Sequence, residues 1–209
     1  MEPGFPLRRR VAISLAIGLA SALFAGYCLA TAGEPSDFEY WWRAARVLRA
    51  GGDPYAMRPG TAGWPLGDPF FYPLPALFPV LPLSFLPLPV AGALFMGISG
   101  ALLAFAVTRD GLHRLWLFAS GPYVMALKLG QCSPILIAAA LLPSLGWLLP
   151  WKPQIGLPVF AYRPSVRAAI LAVVAAAASF LVRPTWLAGR RKASRPWSCA
   201  GSGWRAIRT

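Results

Sequence analysis

The sequence predicts an all-α, polytopic membrane helical bundle with an amphipathic helix lying outside the bilayer just after the first span. Three observations predict it. The 209 residues are 57% hydrophobic and 13% charged, roughly half the charged share of a soluble domain. The apolar residues come in blocks of about 20, enough to cross about 30 Å of hydrocarbon at about 1.5 Å per residue. The stretch with the clearest helical amphipathicity, Ser36 to Arg49, follows directly on the first such block.

The elements read in order. Arg8, Arg9 and Arg10 precede "VAISLAIGLASALFAGYCLATAG". An apolar run of about 20 residues exceeds the usual signal core of about 7–15, so it reads as an uncleaved first helix. A signal peptide is the other reading, because Ala30-Thr31-Ala32 resembles a cleavage site. Either way the positive-inside rule places the N-terminus in the cytoplasm and residues from about 33 onward outside.

Residues 34–70 are polar and hold five of the seven acids. Within them Ser36 and Glu39 have the spacing of a capping box, so a helix should start at Asp37. Phe38, Trp41, Trp42, Ala45 and Leu48 share one face of it, and Arg43, Arg46 and Arg49 another. Glu39 stands four residues before Arg43, a favourable pair. Gly51-Gly52 can end the helix. Such a helix is expected to lie in the membrane interface, aromatics at the acyl boundary and arginines at headgroup phosphates. Asp37 also complements the helix dipole simply by standing in the first turn.

"FFYPLPALFPVLPLSFLPLPVAG" is apolar but broken by six prolines between Pro73 and Pro89, which remove amide donors and clash with the preceding turn. A cavity-lining or re-entrant stretch is expected there, since such backbone at membrane depth needs protein or water around it. A clean span follows near 90–108. "RDGLHR" suits the cytoplasmic side, and "LWLFASGPYVMAL" returns outward. The path of residues 131–163 stays open, because Lys152-Pro153 interrupts a stretch too short for two crossings. A last span is expected near 166–182. Residues 1–183 thus form the membrane-embedded domain, and 184–209 a basic, irregular tail.

Composition narrows the function. The net charge is +13, but no soluble domain carries it, so nucleic acid is not the expected partner. Cations here report orientation and contact with membrane lipids. Cys28, Cys132 and Cys199 are odd in number and far apart, so no disulfide framework or zinc site follows. His113 alone makes neither a metal site nor a triad. No phosphate-binding glycine loop, dinucleotide fingerprint or nucleophile elbow is present. No metal or cofactor is expected.

Four pieces, "SDFEYWWRAARVLRAGGDPY", "FYPLPALFPVLPLSFLP", "LGQCSPILIAAALL" and "WKPQIGLPVF", resemble glycosyltransferase family 87, the alpha-mannosyltransferase-like membrane proteins of the C-type glycosyltransferase fold. The resemblance runs from about residue 11 to 182, in family order. It implies a multi-pass protein of the cell (inner) membrane that moves a mannose-like sugar from a polyprenyl-phosphate donor to a lipid or glycan acceptor hydroxyl outside. Asp37 matches the position of the family's catalytic base. Arg43, Arg46 or Lys152 would stabilise the leaving phosphate, Gln131 would bind sugar or phosphate, and Asp53 and Tyr55 would touch the acceptor. Asp53 before Pro54 is also a plain turn signal. Family members are longer, so a portion of such a transferase, active or inactive, is expected. A non-enzymatic transporter or assembly subunit is the competing class; a transporter should show broken helices in matching halves, and no matching halves are visible.

Overall fold

The structure is a computed structural model that describes residues 6–31 and 33–184, with the side chain of Asp110 excepted. The basic tail expected over 184–209 lies outside the described residues apart from Pro184. The described chain is helical, with a lone β-bridge between Thr61 and Trp64.

Two helices are long and apolar enough to cross a membrane: α1 (Leu7–Thr31) and α3 (Leu88–Val107). They run antiparallel, because Arg10 near the start of α1 donates to the Phe105 carbonyl near the end of α3 at 2.7 Å. Small residues let the two backbones meet. A Cβ on Gly97 would stand 2.9 Å from the Ala22 Cβ, one on Gly18 2.8 Å from that of Ala101, and one on Gly26 3.1 Å from that of Ala93. Spacing of small residues by four on both helices is how apolar helices approach closely in lipid. Their hydroxyls are internally satisfied, Ser14 by the Arg10 carbonyl, Ser99 by Phe95 and Thr108 by Ala104, each at 2.7 Å.

The amphipathic helix forms as expected: α2 (Asp37–Arg49), capped by the Ser36 hydroxyl, which accepts from the Glu39 amide at 3.2 Å. Glu39 turns to Arg43 instead of closing the box, and the pair is 2.7 Å apart. Gly51 ends the helix at φ +77°. The lipid-facing role expected for its aromatics does not hold. Phe38 and Trp41 are fully buried and Trp42 nearly so, covered by protein. Phe38 stacks on Phe95 of α3 at 5.1 Å, and Trp41 meets Tyr72 and Trp151 at 5.2 and 5.0 Å. An apolar face at helical spacing says that something apolar must cover it; it does not say whether protein or lipid does so.

The proline-rich stretch becomes a strap over this helix. It makes two short 3-10 turns, Leu74–Leu77 and Leu81–Phe85. Leu74, Ala76, Leu77 and Val80 are fully buried, so protein surrounds the first of these turns, while the second lies nearer the surface, with Phe85 exposed.

The return leg is composite. A 3-10 segment, His113–Ala119, leads into α4 (Gly121–Leu129). The Tyr123 and Ser21 hydroxyls share a 2.7 Å hydrogen bond, halfway along α1. From there α4 rises to Gly130, which lies against Phe38. The chain then bends by 120° into α5 (Ser133–Leu141). This bent pair is a third candidate span if it counts as one. A further 3-10 segment, Pro143–Trp151, runs back to the α2 end, where Trp151 packs on Trp41. Two short helices complete the fold, α6 (Pro153–Tyr162) and α7 (Val166–Val182). Arg183, just past α7, pairs with Asp53 at 2.9 Å. The path of 131–163 is therefore a hairpin, α5 down and Pro143–Trp151 back, followed by a second hairpin from α6 into α7.

Candidate functional site

The site is built where these reversals meet the first turn of α2. Asp37 is half-buried and its carboxylate has no hydrogen bond or ion pair among the described residues. Close to it come Tyr72 from the strap, Cys132 from the α4–α5 turn and Lys152 from the end of the second 3-10 segment. The Lys152 ammonium stands 5.6 Å from both the Trp41 and Tyr72 ring centres and within electrostatic reach of the Cys132 thiol, as does Asp37. Lys152 has no carboxylate partner among the described residues. A carboxylic side chain and a lysine, neither with an ionic partner among the described residues, thus both come within electrostatic reach of the Cys132 thiol.

Local sequence explains how each is delivered. Trp151 is buried in the aromatic core, edge-on to Trp41 and tilted against Phe95, and Pro153 opens α6. Lys152 is fixed between an anchored ring and a helix start. Gly130 is left-handed, at φ +66°, and a Cβ there would stand 2.8 Å from the Phe38 Cβ and 3.3 Å from the Phe38 nitrogen. Only glycine permits both the turn and the contact. That contact seats Gln131 and Cys132 beside the first turn of α2. Gln131 is half-buried, and its backbone N–H donates to the Ala126 carbonyl at 2.8 Å.

The hydroxyls of the neighbourhood stay protonated. Burial raises Tyr72 well above its ordinary 10.0, and the Asp37 charge adds to the shift. Tyr40, one turn along α2, is also raised, first by burial and then by Asp68. Neither phenol is a base near neutral pH.

The other sequence candidates are placed elsewhere. Arg46 follows Asp37 by nine residues, about 180° round a helix turning about 100° per residue, and stacks on Trp42 at 4.7 Å. Arg43 is held by Glu39 and lines a separate cleft of about 300 Å³ with Glu34 and Ser36. Asp53 caps the turn at Tyr55, accepting its amide at 3.0 Å, and pairs with Arg183. Tyr55 is buried and donates its hydroxyl to the Tyr72 carbonyl at 2.9 Å. Among the described residues no group of three metal-ligating side chains gathers. Sequence reasoning passed over Tyr72 and Cys132. Their only signal was proximity, Cys132 beside Gln131 and Tyr72 at the head of the proline run.

Fold and site define an all-helical protein with two or three apolar candidate spans and an acid–lysine neighbourhood at one end of them. No family model, curated protein or solved structure matches the chain.

Proposed function

We propose that the protein is a membrane glycosyltransferase that moves a mannose-like sugar from a polyprenyl-phosphate donor to an acceptor hydroxyl at the external face of the membrane. The observation that carries this reading is convergence. The four sequence stretches that resemble the transferase family lie far apart in the chain, yet Asp37, Tyr72, Gln131 and Lys152, one from each, meet at the same end of the helices. In this reading Asp37 takes the proton of the acceptor hydroxyl as its oxygen bonds to the anomeric carbon. The bond from that carbon to the phosphate oxygen breaks, and the lipid phosphate leaves as an anion. Lys152 stabilises the charge as it develops. In the same reading Gln131 hydrogen-bonds sugar or phosphate. Arg43 and Arg46, turned away from Asp37, are not given this role.

The test supplies a labelled polyprenyl-phosphate sugar to membranes carrying the chain, comparing wild type with Asp37→Asn. Transfer should fall by about 10²–10⁴-fold, the usual worth of a general base, while the variant folds normally because Asp37 has no hydrogen-bond or ion-pair partner among the described residues. Transfer that survives the substitution unchanged removes Asp37 from the mechanism.

A further inference from the structure

The arginine face of α2 does not project as three loose side chains. Trp42 donates its indole N–H to the Leu86 carbonyl at 3.1 Å, tying α2 to the strap. Along this seam Arg46 stacks on Trp42, and Arg49 lies 4.1 Å over the Phe85 ring and donates to the Ser84 hydroxyl at 3.3 Å. Both guanidiniums are exposed and have no ion pair among the described residues, since Glu39 is spent on Arg43. Phe85 itself is 73% exposed, a large ring left on the surface beside two cations.

Below the seam the surface changes character. The α3 helix begins three residues after Phe85, and Val90, Leu94 and Ile98 are exposed at successive steps of four along it. That spacing is a single stripe on a helix. The molecule therefore presents two forked cations and an aromatic ring at the head of a bare apolar stripe on a candidate span.

We infer that this seam is a docking site for an anionic phospholipid. Its phosphate sits between Arg46 and Arg49, and an acyl chain lies on Phe85 and the Val90–Leu94–Ile98 stripe. Guanidinium forks match phosphate oxygens in pairs, and their stacking on Trp42 and Phe85 fixes them without neutralising them. A second copy is the poorer occupant, because a chain with 7 acids against 20 basic residues brings a net positive charge to a cationic seam. The bound lipid would clamp α2 to the strap from outside. The docking site stands on the seam alone and does not need the transferase reading.

The experiment places the full-length protein in nanodiscs of phosphatidylcholine with increasing phosphatidylglycerol and counts retained lipids by native mass spectrometry. Wild type should hold phosphatidylglycerol in preference to phosphatidylcholine, and R46Q/R49Q should lose about thirtyfold in that preference, the worth of two interfacial cations. R46K/R49K should keep much of it. In parallel, a photoactivatable phosphatidylglycerol on wild-type protein should label peptides containing Arg46–Arg49 or Phe85–Ile98. Retention unchanged in R46Q/R49Q, equal retention of the two lipids by wild type, or labels confined to other segments would overturn the assignment. Displacement by soluble glycerol phosphate at matched concentration would also overturn it, by making the ligand a free phosphate.

Discussion

The α1–α3 pair and the roof over Asp37 are packed in opposite ways. In the pair, contact is made by glycine and alanine, side chains are small, and each serine or threonine hydroxyl that it buries returns to a carbonyl of its own helix or meets Tyr123. In the roof, contact is made by rings: Phe38, Trp41, Tyr72, Phe95 and Trp151 form one aromatic cluster. The Trp41 and Trp151 indole nitrogens are buried there with no acceptor among the described residues. Asp37 and Lys152 stand at its edge without ionic partners. A region shaped only for stability pairs its buried polar groups. The roof leaves two indole nitrogens open, and the α1–α3 pair leaves Arg10 Nε; in the proposed reading the open groups of the roof lie where the fold serves chemistry.

Substitutions put this contrast to the test. The greatest change is predicted for transfer by Asp37→Asn, because the roof then loses its free carboxylate while the α1–α3 pair is untouched. Next is Gly130→Ala, which forces a side chain into a left-handed turn against Phe38. It should cost about 1–3 kcal/mol in chemical unfolding and lower transfer as well, since Phe38 adjoins Asp37. Gly60→Ala is the control. Gly60 has φ +72° but nothing within 4 Å of a Cβ, so it should cost about 1 kcal/mol and spare transfer. If the two glycines behave alike, the Gly130–Phe38 seat is not what positions the roof. Gly97→Val attacks the other region; overpacking against Ala22 should cost about 1–3 kcal/mol while the remaining folded fraction keeps its transfer rate.

A weaker effect is predicted for pH. Tyr72 and Tyr40 have raised pKa values in the fold, so above the unfolded value near 10 the folded chain binds more protons than the unfolded one. Their contribution is therefore constant from neutral pH to about 10 and is lost as pH rises further. Unfolding midpoints measured from pH 7 to 11 should stay flat and then fall, and Tyr72→Phe should shrink the fall. The least change is predicted for Trp151→Phe, which keeps a ring against Trp41 and removes an unpaired N–H. The gain and the lost volume nearly cancel, so stability should move by less than about 1 kcal/mol.

What was legible in the sequence follows from which interactions are local. The helix at Asp37 was readable because its cap, its Glu39–Arg43 pair and its glycine stop lie within sixteen residues, Ser36 to Gly51. The spans near 11–33 and 90–108 were readable because uniform apolarity needs no partner to be recognised; the segment at 166–182 forms the apolar helix expected there, but at 17 residues it is shorter than the candidate spans. The destination of the aromatic face was not, since burial under protein and burial in lipid demand the same pattern. The reversals between Leu129 and Tyr162 were not either. Gly130 turns against a phenylalanine 92 positions earlier, and Trp151 is held by Trp41; nothing within the segment announces either contact. For the same reason Asp37 and Lys152 were separate candidates in the sequence, and the fold brings both within reach of Tyr72 and Cys132. Asp53 makes the local turn its Asp-Pro pair signals, but its pairing with Arg183 and the Tyr55 hydrogen bond to Tyr72 are contacts that no local pattern indicated.

The site depends on the α4–α5 turn coming to rest beside the first turn of α2. With Cys28 and Cys199 changed to serine, Asp37→Cys leaves a pair with native Cys132 that a short bifunctional thiol reagent can span. In membranes an intramolecular cross-link should form as efficiently as that of a control pair, Ser21→Cys with Tyr123→Cys in a background where all three native cysteines are serine. A control that links while the Asp37→Cys and Cys132 pair does not would place the two turns apart and contradict the site.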